Sequence, residues 1–133
     1  MTKHIRTAAA AAGLLAALAL PVASSAASST SGSPQQYTMQ TRFADEYHGG
    51  EWDATMVLTV YPNGIVQGTY RPQDGGWKSV TGGVDGQQIW LDIGMMHPLH
   101  LTGTFRNGEL RTIAAIPGPD TYTLESTSVT RNG

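Results

Sequence analysis

The residues best suited to chemistry fall in three places. The first is a run of Asp45, Glu46, His48, Glu51 and Asp53 around Gly49-Gly50. Carboxylates on a bent loop are what a hard cation requires, but the run lacks the spacing of a calcium-binding loop. It reads as a solvated connection between two strands, able to act as a lid over one rim of a barrel. The second is Met95-Met96-His97-Pro98-Leu99-His100. Two histidines three apart hold zinc only with a third ligand on a rigid frame, and Pro98 between them enforces an extended turn. They read as a loop histidine and a surface histidine, so no metal ligand is assigned. The third is aromatic: Trp52, Trp77 and Trp90, with Tyr70 and Phe105. Large aromatics fill cores and line binding cavities, and these five are the candidate ligand-binding residues.

No Gly-x-Ser-x-Gly or comparable nucleophile motif occurs. No catalytic residue is therefore assigned, and no cofactor is implied. If the chain were an enzyme, a small-barrel isomerase or cyclase, Asp92 or His100 would be the first acid or base to test.

The elements that must carry these residues are short and regular. Lys3 and Arg6 precede an unbroken run of Ala, Gly and Leu from Ala8 to Leu20, followed by Pro21 and small residues to Ala27. This order predicts a helical secretory signal peptide over 1–26 and a secreted product, extracellular or periplasmic. The apolar run is shorter than the roughly 20 residues a bilayer core requires, so no membrane anchor is expected. Residues 27–36 are rich in Ser, Ala, Thr, Gly and Pro and predict a disordered leader. The expected domain is 37–133.

Within it, Trp52, Ala54, Met56, Leu58 and Val60 alternate with Asp53, Thr55, Val57, Thr59 and Tyr61, as in a strand with one buried face. On this reading Trp52 belongs to the core. Pro62-Asn63-Gly64, Asp85-Gly86 and Asn107-Gly108 mark hairpin turns in which positive φ is required. The pattern predicts eight strands: 37–43, 52–61, 65–71, 77–83, 88–93, 99–105, 109–116 and 121–130. The predicted fold is all-β, an antiparallel up-and-down barrel of about eight strands, with a β-sandwich as the alternative. Trp90 lies between Ile89 and Leu91, so one of those faces must point away from the interior. Gly68-Thr69-Tyr70-Arg71 is echoed by Gly103-Thr104-Phe105-Arg106, a Gly where a sheet bends and an aromatic beside it.

The chain has 8 Lys+Arg against 10 Asp+Glu and no cysteine. Lys3 and Arg6 would leave with the signal, so the mature chain carries a net charge of about −4. Scattered cations on an acidic domain do not make a phosphate-binding patch, so nucleic acid is not an expected partner. No disulfide is available to staple the fold.

Thr55-Met56-Val57-Leu58-Thr59-Val60, then Asn63-Gly64, then Gly68-Thr69-Tyr70 resembles the second and third strands of the avidin/streptavidin family of calycin-type barrels. That resemblance implies an eight-stranded barrel. It does not extend to the family's biotin contacts. Residues 37–43 lack its Trp, and Glu51-Trp52-Asp53-Ala54 stands where Gly-Ser would be. The sequence therefore predicts a secreted, non-catalytic barrel holding a small apolar or aromatic ligand. The alternative is a protein-interaction or inhibitor module, or a homo-oligomer formed through an outer sheet face.

Overall fold

The computed structural model describes residues 32–96, 98–115 and 120–133. Residues 1–31, which include the expected signal peptide and most of the expected leader, lie outside them, as do His97 and residues 116–119. Eight strands follow one another: β1 (Gln35–Asp45), β2 (Glu51–Val60), β3 (Ile65–Pro72), β4 (Lys78–Asp85), β5 (Gln88–Ile93), β6 (Leu99–Arg106), β7 (Glu109–Ala115) and β8 (Thr121–Asn132). Each pairs antiparallel with the next, and β8 returns to β1, closing the barrel. The fold is thus a barrel and not a sandwich. Closure leaves no edge strand among the described residues, which suits a domain without disulfides.

Alternation decides which side chains enter. Met39, Met56, Leu58, Val66, Val80, Leu91, Ile93, Leu101, Leu110 and Leu124 point inward and are almost wholly buried. Burying a side chain of this size contributes about 1.5–3 kcal/mol. Two threonines share the interior, and each hydroxyl is satisfied by a neighbouring strand: Thr41 donates to Ala54 O (3.1 Å) and Thr112 to Leu124 O (2.9 Å).

The two ends differ. One carries the turns 61–64, 86–87 and 107–108; the other carries the longer connections 46–50 and 73–77 and the ends of β5 and β7. At Asn107-Gly108 both φ values are positive (53° and 85°), as expected of a type I′ turn. Asn63-Gly64 departs from that expectation. Only Gly64 is left-handed, and Asn63 instead accepts a hydrogen bond at its side-chain oxygen from Ile65 N–H.

The two Gly-Thr-aromatic segments have a common cause. A Cβ on Gly68 would stand 1.9 Å from Val57 O, and one on Gly103 1.9 Å from Arg111 O. Both glycines lie where adjacent backbones approach too closely for a side chain. Two residues on, Tyr70 and Phe105 turn inward and are buried. Because β3 and β6 run oppositely, Tyr70 lies toward the looped end and Phe105 toward the turn end. There Phe105 packs edge-on against Tyr37, with ring centroids 5.1 Å apart.

Candidate functional site

The looped end concentrates the aromatic and titratable groups. It begins with the inward row of β1: Tyr37, Met39, Thr41, Phe43, Asp45. Phe43 is the last aromatic in that row, and its ring stacks on Tyr122 of β8 (centroids 5.1 Å, planes 19° apart). Across the β1–β2 ladder Phe43 pairs with Trp52, whose ring is 5.8 Å away. Trp52 shares the inward parity of Ala54, Met56 and Leu58. It is nevertheless 50% exposed, because it stands at the strand end where the barrel opens. The expectation that Trp52 lies in the core is corrected here: alternation fixes the side of the sheet and not the depth along the barrel. Gly50 gives the indole room, since a Cβ there would lie 2.7 Å from the ring.

Asp45 anchors the loop that follows. Its side chain is only 8% exposed. One oxygen accepts N–H bonds from Tyr47 (3.0 Å) and His48 (2.9 Å), and the other faces His48 Nδ1 at 2.9 Å. The His48 N–H bond holds the Asp45 carboxyl below its ordinary pKa. Burial opposes that shift, and the His48 side chain and Tyr47 N–H support it. Asp120 approaches His48 from the β8 side, at 3.8 Å. Glu46 N–H donates to Thr121 O and Thr123 donates its hydroxyl to Glu46, fastening the β1–β2 loop to β8. Asp45, His48 and Asp120 bring potential ligand atoms within 4.8 Å of one another. One Asp45 oxygen is already taken by two backbone N–H donors, and the three side chains act as a clasp between the loop and the β8 side. Burial foremost, with the charges of Asp45 and Asp120, raises the Tyr122 phenol pKa.

The clasp has a consequence for pH. The folded pKa of Asp45 lies below the reference value of 3.8. Its stabilisation is therefore complete above that value and is lost as pH falls through the folded pKa. We expect the melting temperature of the wild type to drop between about pH 4 and pH 2, and that of Asp45→Asn to drop less over the same interval. Parallel melting curves over that interval would remove Asp45 as the cause.

The other candidates are dispersed. Tyr70 and Phe105 face inward at opposite ends, and burial raises the Tyr70 phenol pKa. Trp77 is in the β3–β4 connection, one residue before the strand expected to include it, and is 56% exposed. Trp90 is on the outer wall, 44% exposed, with its ring over Gly83, where a Cβ would meet it at 2.1 Å. Of the five, Tyr70 and Phe105 are buried in the interior, whereas the three indoles are exposed. Glu51, expected in the loop, and Asp53, expected on the polar face of the strand, are both on the outer face of β2, where Asp53 accepts from Arg42 at 3.2 Å. His100 is on the outer wall of β6 beside Asp92 (2.5 Å). Phe43, Tyr122 and the burial of Asp45 were missed. Continuing the Tyr37-Met39-Thr41 alternation two and four residues further would have placed Phe43 and Asp45 inward.

Together these features define a closed eight-stranded antiparallel barrel with an aromatic, acid-clasped rim. The chain matches no family model and no curated protein. Among solved structures it is similar to a rhizavidin–biotin complex, at 19% identity and a TM-score of 0.41, over 68% of this chain and 94% of that chain.

Proposed function

We propose that the protein is a secreted, non-catalytic binding barrel that takes a small apolar or aromatic ligand at its looped rim. The observation that supports this most is Trp52: a half-exposed indole beside the Phe43–Tyr122 stack, on the inward side of an opening. A large aromatic left in water there gains by covering a flat apolar ligand. The inward rows below are filled by Met, Leu, Ile and Val, so the ligand sits on the rim and not at the barrel's centre. Secretion rests on the Lys3, Arg6 and Ala8–Leu20 pattern.

The test uses a Trp77→Phe, Trp90→Phe double variant, which leaves Trp52 as the sole indole. Titration with 1-aminoanthracene, an uncharged aromatic probe, is expected to quench Trp52 emission to saturation, with energy transfer to the bound probe. A weak, linear, unsaturable response would overturn the reading.

A further inference from the structure

A second feature lies on the outer wall, on the opposite face of the sheet from the rim aromatics. A groove of about 410 Å³ crosses β1, β2 and β3, lined by Gln40, Asp53, Thr55, Arg71 and Gln73 over Ala54 and Pro72. Its side chains end in two amides, a carboxylate, a guanidinium and a hydroxyl, so donors and acceptors alternate along it. Thr55 donates to Gln40 Oε1 at 3.2 Å, orienting that amide. Asp53 is held by Arg42, whose guanidinium pKa is raised by that hydrogen bond and by the charges of Asp53 and Glu51.

Arg71 is different. Among the described residues it has no acidic partner. Its guanidinium carbon lies 5.3 Å from the centroid of the exposed Trp77 ring. A cation–π contact fixes the direction of the guanidinium while leaving its fork of N–H donors free. The groove therefore presents an oriented, uncommitted cation next to an exposed indole.

The occupant must match that chemistry. A nucleotide or polyphosphate concentrates several charges on adjacent phosphates and would require more than one free cation at one point. A peptide cannot add as a strand, because β2 and β3 are paired on both sides in the closed barrel. A ligand with a hydroxyl at nearly every carbon, an apolar C–H face and a carboxylate meets every feature. Hydroxyls both donate and accept along the amides and Asp53. Polarised C–H groups lie against the negative face of the indole. The carboxylate takes the Arg71 fork in a two-bond pair. We propose that this groove is a binding site for an acidic saccharide, with Arg71 selecting the carboxylate and Trp77 providing the stacking surface.

Isothermal titration of the wild type with hexagalacturonate and with neutral cellohexaose tests this. Hexagalacturonate is expected to bind saturably and more tightly than cellohexaose. Arg71→Gln should abolish the difference, and Trp77→Ala should weaken hexagalacturonate binding about tenfold. Trp52→Ala should leave it unchanged, which separates this site from the rim. All three side chains are exposed, so an unaltered melting temperature verifies the fold of each variant. The proposal fails if hexagalacturonate does not saturate, if cellohexaose binds equally well, or if Trp77→Ala binds like the wild type.

Discussion

Gly103→Ala is expected to destabilise the barrel by about 3 kcal/mol or more, lowering the melting temperature by roughly 15 °C. The added methyl would stand 1.9 Å from Arg111 O and 2.7 Å from Thr112 Cα. Both obstacles are backbone, so no rotamer change relieves the clash. β6 and β7 must move apart, and the ladder that joins Thr102 to Ile113 and Thr104 to Arg111 must stretch with them. In a closed sheet a displacement between two strands is passed to the next pair, because no free edge can absorb it. A domain of this size has about 5–15 kcal/mol in total, so the loss is a large share. Gly76→Ala provides the control: nothing lies within 4 Å of its added methyl and its φ is not left-handed. Its change should stay within about 0.5 kcal/mol. Thermal unfolding followed by circular dichroism measures both. Equal melting temperatures for Gly103→Ala and wild type would show that the barrel opens at this point without cost.

That glycine also illustrates what could be read from the sequence. The echo of Gly68-Thr69-Tyr70 in Gly103-Thr104-Phe105 was visible, and so was the idea of a bend beside an aromatic. Which strand lies close enough to exclude a Cβ was not, because that depends on Val57 and Arg111 across the ladder. The eight strands were legible to within about two residues, since period-two alternation and Gly turns are local signals. The outward position of Trp90 follows the same way: Ile89, Leu91 and Ile93 fix the buried row and leave Trp90 the other.

Positions along the barrel axis were not legible. Trp52 has the parity of a core residue and the exposure of a rim residue, and only the length of β2 relative to its neighbours decides between them. Asp45 depends on a more distant relation. Its loop contacts are local, but its burial and the approach of Asp120 require the barrel to close β8 onto β1. Arg71 and Trp77 are six residues apart in the chain, yet their contact depends on how the 73–77 connection folds back over the outer wall. Functional candidates chosen by residue type alone were therefore split between core, rim and wall. Geometry regroups them as Phe43, Trp52 and Tyr122 at the opening and Arg71 with Trp77 outside it.

The rim group makes the other large prediction. Phe43 touches both the core and the opening, whereas Trp52 touches the opening. Phe43→Ala removes a half-buried ring, its stack with Tyr122 and its contact with Trp52, and should cost about 2 kcal/mol of stability. It should also weaken 1-aminoanthracene binding at least about tenfold, because the platform beneath the ligand is lost and Trp52 is no longer held in place. Trp52→Ala should have little effect on stability, since its indole is 50% exposed, and should weaken binding to a similar extent. Tyr122→Phe keeps the stacked ring and should retain affinity. This pattern separates a site from a scaffold. A purely structural Phe43 would lower the melting temperature and leave probe affinity intact once the protein is folded. Fluorescence titration at a temperature well below every melting point distinguishes the two cases, and wild-type affinity in folded Phe43→Ala would remove the rim as the binding surface.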